Sequence, residues 1–488
     1  MAGRRAFKSD ESFLEKISMG AIGTKKVFSV MNEQGHRPIE LERFSMSYKI
    51  WKGTKIKRIR VPDILCLNCG IRIESRAKNK LELSMSHSLS DPERGWDYGM
   101  NNQDGAAFIV CHKNGKRPID WSADNLVQFV SIAKMREAVE NDQIGRTKPK
   151  GTEEGSEIRI VWPTCISPVD GEVEEISEKW ISIRDKDTEI LVKRKYELKV
   201  GKLGLLVKVG DNVRKNQIIA SVVPVTSTIS CRDPPTYEYL EKLLKSKMIS
   251  ERYTGVKAIS ILGIKSFESL LSEFVADRDE HVYIRLEASA GLARIGNDVG
   301  WKFIHECLNS QYRNIRLEAV IILGEIKTSI SCDILCKILL DKEQDEEIRA
   351  AAAWALGELR DRKALDSLIL AFNNVNENIR IEAARALSKL ASIVKKEIIE
   401  KYPELSPIER PGASWALNKS GQFTIGEVEN CFVDEDSRQW VAYMIGSQKQ
   451  EKFINEIEAL KEKDPEVYFA VTVLWKIMAS WVYDLEEY

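Results

Sequence analysis

Two carboxylates, Asp63 and Glu74, stand eleven residues apart on either side of the tripeptide Asn68-Cys69-Gly70. The run from Lys55 to Ser86 reads as two β-strands joined by a tight turn at that tripeptide, so a hairpin would bring both acids together. On the second strand Ile71, Ile73, Ser75 and Ala77 share one face, and Arg72, Glu74, Arg76 and Lys78 share the other. Paired carboxylates on adjacent strands suit Mg2+ or Mn2+, hard cations that want oxygen ligands and keep several waters. Such an ion acidifies a water and offsets charge on a phosphate under attack. A cation on the same strand face orients that water or stabilises the developing charge. Arginine does not deprotonate at working pH, so Lys78 is expected to assist the water and Arg76 to contact phosphate. Glu40 or Glu42, alternating with Ile39 and Leu41 on an earlier strand, completes the cluster. The plainer alternative is a basic sheet whose acids are solvated ion pairs.

Cys66-Leu67-Asn68-Cys69-Gly70 competes for the same hairpin. Cys-x-x-Cys-Gly is a tight knuckle that suits tetrahedral Zn2+, which needs two further ligands. No second Cys-x-x-Cys exists; Cys111, His112 and His87 are the suppliers weighed. Directly before Pro62-Asp63, six cations fall in twelve residues: Lys49, Lys52, Lys55, Lys57, Arg58 and Arg60. With Tyr48 and Trp51 beside them, they form a candidate phosphate-tracking strip, with Lys52, Lys55, Lys57, Arg58 and Arg60 as nucleic-acid contacts. A solvated basic loop is the alternative.

These residues need a scaffold. Lys25–Gln34 is helix-like and stops at Gly35. The segment from Arg37 is a strand, the hairpin follows, and Ala106–His112 is a further strand. Ala123–Val139 is predicted as an amphipathic helix, and residues 141–155 as a polar, Gly-containing linker. That order, with Pro62-Asp63 and the run Ile73-Glu74-Ser75-Arg76-Ala77-Lys78, resembles the PD-(D/E)XK restriction-endonuclease-like superfamily. The resemblance implies an α/β nuclease domain over residues 1–145, with Asp63 and Glu74 as metal ligands. One departure stands out. The family's lysine sits two residues after the glutamate, where this chain has Arg76, and Lys78 lies about 6.6 Å further along the strand.

Residues 156–230 change character. Ser167–Ile176, Trp180–Asp185 and Gly204–Val223 are short, β-rich and punctuated by Gly-Asp turns. The pair Pro168-Val169-Asp170-Gly171 and Val209-Gly210-Asp211-Asn212 resembles a barrel-sandwich hybrid. Its two halves are swapped relative to lipoyl carriers, and no His lies between His112 and His281. A structural or docking module without metal or carried cofactor is therefore expected.

Residues 237–488 are a repeat array. Matching segments begin at Val256, Ile284, Ile315, Ile348 and Ile379, spaced 28, 31, 33 and 31 residues apart. Each carries apolar residues at helical spacing. Small residues (Ala288, Ala319, Ala352, Ala383) would let neighbouring helices approach closely. The pattern resembles HEAT repeats of the phycobilisome-lyase-like type, which implies an α-solenoid whose surface binds a protein partner. Deoxyhypusine hydroxylase, a HEAT enzyme, needs several His-Glu pairs for iron; this array has only His305-Glu306 and one other histidine, His281. Val467–Trp481 reads as a terminal helical cap.

The chain is thus expected to be multidomain α+β: a nuclease-like α/β domain, a small β barrel-sandwich module and an α-solenoid. Its 488 residues carry 73 Lys/Arg and 74 Asp/Glu, but residues 1–150 hold 27 basic against 18 acidic groups. A basic head can attract a polyanion that the acidic remainder would repel. No secretory signal opens the sequence and no apolar run is long enough to span a membrane. Nine cysteines fit free thiols in a reducing compartment, so a cytoplasmic protein is expected. The leading expectation is a Mg2+- or Mn2+-dependent nuclease acting on DNA, in prokaryotic defence or DNA processing. The alternative is a non-catalytic nucleic-acid-binding adaptor that recruits a protein through its repeats.

Overall fold

The computed structural model describes residues 10–43, 45–46, 59–148, 157–198, 201–421 and 423–486. Lys49, Lys52, Lys55, Lys57 and Arg58 of the basic strip lie outside these, as do Tyr48 and Trp51. The described chain forms two compact units that divide between Leu262 and Gly263.

The first unit opens with helix α1 (Asp10–Glu33), ended at Gly35, whose φ is +83°. Strands β1 (Pro38–Glu40), β2 (Ile64–Cys66) and β3 (Arg72–Lys78) follow, then β4 (Leu83–Ser88), β5 (Gly105–Lys113) and β6 (Trp121–Ser131). One five-stranded sheet has the order β1-β2-β3-β5-β6. Its pairs are antiparallel except β3 with β5, which is parallel. β5 is apolar throughout its first seven residues because both faces are covered. Ala107, Ile109 and Cys111 meet Val27, Val30 and Met31 of α1. Ala106, Phe108 and Val110 join Leu83, Met85, Trp96 and Trp162 on the other side.

The helix expected over Ala123–Val139 is a correction. Residues Trp121–Ser131 are strand, and only Ile132–Glu140 is helix α2. Leu126, Val127, Phe129 and Val130 are largely β-branched or aromatic, and their spacing suits either period. Pairing with β5 along its whole length decides the matter.

Strand β7 (Gly145–Thr147) and strand β8 (Glu157–Trp162) form a second sheet with β4, in the order β4-β8-β7. The residues that begin the expected middle module therefore complete a sheet of the head. Beyond β8, strands at Thr164–Ile166, Gly204–Leu205 and Ile218–Ser221 make one small sheet. Strands at Gly171–Ile176, Trp180–Asp185, Leu191–Lys195 and Asn212–Val213 make another. The two share a core of Cys165, Val173, Ile181, Ile183, Val213 and Ile219. The buried Gln128 of β6 ties this module to the head: its Nε2 donates to Asn216 O (3.0 Å) and its Oε1 accepts from Ile218 N (2.7 Å). Helices α3 (Glu238–Leu244) and α4 (Ile249–Leu262) also belong to this unit.

The second unit is helical, as the repeat spacing predicts. Its ladder runs through Val282–Arg294, Arg313–Ile326, Glu346–Leu359 and Glu377–Lys401. Ala288, Ala319, Ala352 and Ala383 have no exposed surface. A Cβ on Gly357 would lie 2.8 Å from Ala386 Cα, so the absent side chain permits the close approach. The recurrent Ile-Arg pair also has a physical reason. Arg285 and Arg349 each donate through Nε to a carbonyl of the preceding helix or its end, Val275 O (3.0 Å) and Leu339 O (2.9 Å). A cation thus neutralises helix carbonyls that have no internal donor. Among the described residues no helix is long and apolar enough to cross a membrane.

Candidate functional site

Asp63 immediately precedes β2 and Glu74 lies on the neighbouring strand β3, and both are buried. Asp63 Oδ2 accepts from Ser75 N at 2.7 Å, and its carbonyl accepts from Leu41 N and Glu42 N. Burial pushes the Asp63 carboxyl well above the usual range, and the Glu74 and Glu42 charges add to this while Arg76 opposes it. Of the two earlier glutamates, Glu42 contributes charge at Asp63. Glu40 Oε1 accepts from Ser45 Oγ (3.2 Å) and Met46 N (2.9 Å).

The cations divide differently from expectation. Arg76 pairs with Glu74 at 2.5 Å. Lys78 Nζ donates to Ser84 O (2.8 Å) and Ser84 Oγ (3.0 Å). Burial lowers Lys78 to about 8, helped by Arg76 and Arg159 and opposed by Glu82. Lys78 is thus drawn toward β4, and Arg76 is the cation beside the acids. Arg72, on the same strand face, is buried in a bidentate pair with Asp104 (3.0 and 2.6 Å) and also donates to Thr254 Oγ1 (3.3 Å). Arg60, the described member of the basic strip, donates to Glu93 O at 2.7 Å.

A tighter constellation forms at the Cys-x-x-Cys knuckle. Among the described residues, His36, Cys66, Cys69 and Cys231 are the one set of three or more His, Cys, Asp or Glu ligand atoms lying within 4.8 Å of one another. Glu42, Asp63 and Glu74 do not form such a set. Cys66 Sγ lies 3.7 Å from Cys231 Sγ, and Cys69 Sγ lies 3.6 Å from His36 Nδ1. Three chain segments deliver the four side chains. His36 follows the Gly35 stop of α1, and Cys66 and Cys69 flank the turn from β2 to β3. Cys231 lies on the strap returning from the middle module. The strap is held to the head by Gln34, whose Nε2 donates to Ser227 O and whose Oε1 accepts from Ile229 N, both at 2.9 Å. The knuckle itself is pinned by Tyr239, which donates from Oη to Leu67 O at 2.7 Å. Gly70 has φ +78°, and a Cβ there would lie 2.6 Å from the Tyr239 ring, so only glycine fits. Hydrogen bonds from the Cys69 and His36 side chains, and from the backbone N–H groups of Cys69 and Arg37, hold the Cys66 thiol well below its usual range against the cost of burial.

The partners weighed from sequence for Cys66 and Cys69 are elsewhere. Cys111 is buried and directs its thiol to Met19 O, His87 Nδ1 accepts from Trp96 N, and His112 lies on an exposed end of β5. Spacing along the chain could not reveal His36 or Cys231. The available signal was a thiol in the polar run Ser230-Cys231-Arg232-Asp233-Pro234, an unusual setting for a core cysteine.

In the helical unit, a groove of about 580 Å³ runs between helices Glu377–Lys401 and Arg410–Ser420. Phe372, Ile381, Ile408, Pro411 and Trp415 make it apolar, and Arg380 and Arg385 add charge. Ile408 is 63% exposed, high for a large aliphatic side chain.

Residues 333–402 match the family model for HEAT repeats. No curated protein matches the sequence. Among solved structures, human deoxyhypusine hydroxylase is similar at 15% identity, covering 44% of this chain and 97% of that one, with a TM-score of 0.24. The complex of CpcE and CpcF of phycocyanin lyase from Nostoc sp. PCC7120 is similar at 16% identity, covering 51% and 98%, with a TM-score of 0.26. The archaeal HEAT-like repeats protein from Thermococcus onnurineus NA1 is similar at 17% identity, covering 44% and 97%, with a TM-score of 0.22. Similarity at this level carries no information about activity. The chain therefore combines a sheet-rich N-terminal region with a C-terminal helical region of HEAT-like repeats.

Proposed function

We propose that this chain is an interaction scaffold whose HEAT-like unit seats a protein partner. The observation that carries the reading is the apolar groove between helices Glu377–Lys401 and Arg410–Ser420, with Ile408 and Ile381 exposed in it. Large aliphatic side chains lining a concave surface are the usual mark of a protein contact. Arg380 and Arg385 at the groove favour an apolar segment carrying acidic residues. The test is quantitative capture with wild-type protein, Ile408→Glu and Trp415→Ala. A partner enriched by the wild type and lost with both variants, at unchanged unfolding midpoints, supports the reading. Equal capture by all three refutes it.

The basic balance of residues 1–150 supports a nucleic acid, DNA first, as the ligand of the other unit, making the protein an adaptor between the two. Binding should weaken steeply as salt rises, because released counterions drive it. Affinity indifferent to ionic strength would remove this part of the proposal.

A second reading is metal-dependent hydrolysis of nucleic acid, in the defence or processing role expected from sequence. It is favoured by the burial of Asp63, just before β2, and Glu74, on β3, with the Glu42 charge acting on Asp63. In it Asp63 and Glu74 hold Mg2+ or Mn2+, and Arg76 stabilises phosphate. Activity that needs the metal and vanishes in Asp63→Ala and Glu74→Ala, with folding retained, would establish it. Failure to cut DNA or RNA with either metal leaves the adaptor.

A further inference from the structure

We propose that His36, Cys66, Cys69 and Cys231 bind one structural Zn2+ as a closed Cys3His site. The inference does not depend on the partner or substrate readings above. It rests first on spacing. With Zn–S near 2.3 Å and Zn–N near 2.05 Å, a regular tetrahedron has edges of about 3.8 Å between sulfurs and about 3.5 Å between sulfur and nitrogen. The observed separations are 3.7 Å for Cys66 Sγ to Cys231 Sγ and 3.6 Å for Cys69 Sγ to His36 Nδ1. All four ligand atoms fall within 4.8 Å of one another, so a single ion can reach every one.

The surroundings supply what such a site needs beyond its ligands. His36 Nε2 lies 3.4 Å from Ile229 O. Donation from Nε2–H to that carbonyl leaves the Nδ1 lone pair directed at the sulfurs, the outer hydrogen bond that fixes a ligating tautomer. Backbone N–H groups approach the sulfurs as well: Cys69 and Arg37 at Cys66, Ile71 at Cys69, and Arg232 at Cys231. They offset part of the cost of placing thiolate charge here, a cost that the neighbouring Cys66 sulfur and burial impose at Cys69 and burial imposes at Cys231. Three thiolates and a neutral imidazole around Zn2+ give a loaded centre that carries one net negative charge.

Ligand chemistry selects the metal. Three sulfurs and one imidazole nitrogen are too soft for Mg2+ or Ca2+ and suit Zn2+ in a tetrahedral field. With four protein ligands no coordination position is left for water, which makes the centre structural rather than catalytic. Its effect is mechanical. It clips the end of α1, the β2–β3 turn and the return strap, closing a separation of 165 residues between Cys66 and Cys231. The clipped turn joins β2, which Asp63 immediately precedes, to β3, which carries Glu74.

Full-length protein purified without chelator should contain about one zinc per chain by elemental mass spectrometry. Cys66→Ser and Cys231→Ser should each reduce this to trace levels, and Cys336→Ser, a thiol of the helical unit, should not. Ligand variants of a structural site can misfold, so the wild type provides an independent readout. Exchange with Co2+ should give thiolate charge-transfer absorption and the intense d–d bands of a tetrahedral centre. Alkylation should spare Cys66, Cys69 and Cys231 until a chelator is added, while Cys336 reacts in both states. Wild-type protein that carries no zinc and gives the pale spectrum of six-coordinate Co2+ would overturn the proposal. So would stoichiometric iron, or a Cys66–Cys231 disulfide in protein prepared under reducing conditions.

Discussion

The two units hold their chains together over very different distances. In the helical unit the characteristic polar links are short: Arg285 and Arg349 reach carbonyls ten residues back, and Arg316 and Arg380 reach Ser310 O and Asn374 O six residues back. In the sheet-rich unit they are long. Gln128 meets Ile218 across 90 residues, Tyr239 meets Leu67 across 172, and Gln34 meets Ile229 across 195. A repeat array sums local terms and loses them one at a time. A sheet closed by distant segments must meet its loop-closure entropy before any contact forms, so it gains most from a clip and suffers most from losing one.

The largest effect that could break this comparison is removal of the clip. On the loop-closure scale, a link across a separation of this size is worth about 5 kcal/mol. Chelation, or Cys231→Ser, should therefore raise hydrogen exchange across residues 34–37, 64–72 and 226–240 together. Helix Glu346–Leu359 should stay as protected as before. Equal deprotection in both units would erase the distinction. The buried Arg72–Asp104 pair comes next, at 1% and 2% side-chain exposure. Arg72→Met alone should destabilise the first unit by about 3–5 kcal/mol, because it strands a buried carboxylate, and Arg72→Met with Asp104→Leu should recover much of that loss. Chemical denaturation of the two variants measures both.

A smaller effect is expected in the repeats. Arg349→Leu removes the donor to Leu339 O and should cost about 1–2 kcal/mol. Its exchange signature should be confined to helices Ser329–Leu340 and Glu346–Leu359. A loss spread through the array would mean that the repeats behave as one block. The last effect is electrostatic and is confined to alkaline pH. Burial lowers Lys78 from 10.5 to about 8. Between those values the unfolded chain holds the extra proton, so stability should rise as pH climbs from about 8 to about 10.5 and be flat below 8 on this account. Lys78→Met should flatten the rise in a pH series of unfolding midpoints.

The sequence made the helical unit legible because its information is periodic. Apolar spacing, small residues at fixed positions and a recurring Ile-Arg pair all report local geometry. The hairpin was legible for the same reason: Gly70 marks a turn, and the alternation along Arg72–Lys78 assigns faces. Ala123–Ser131 was misread because nine residues of mixed apolar pattern satisfy either period, and only the partner strand β5 excludes helix. The metal constellation was half legible. Cys66 and Cys69 declare themselves by spacing, whereas His36 and Cys231 are brought in by the helix stop and the strap.

Composition, repeat period and turn chemistry, all readable along the chain without knowing which distant segments meet, determined by themselves that this chain has a basic sheet-rich head and a HEAT-like helical array. Only the tertiary structure decided which side chains meet. It turned Lys78 toward Ser84, set Arg76 beside Glu74, placed Arg72 against Asp104, and carried Cys231 back to a cysteine 165 residues earlier. The physical reason is that such meetings depend on how sheets pack and where a returning strap crosses them, and no local propensity encodes a long-range crossing.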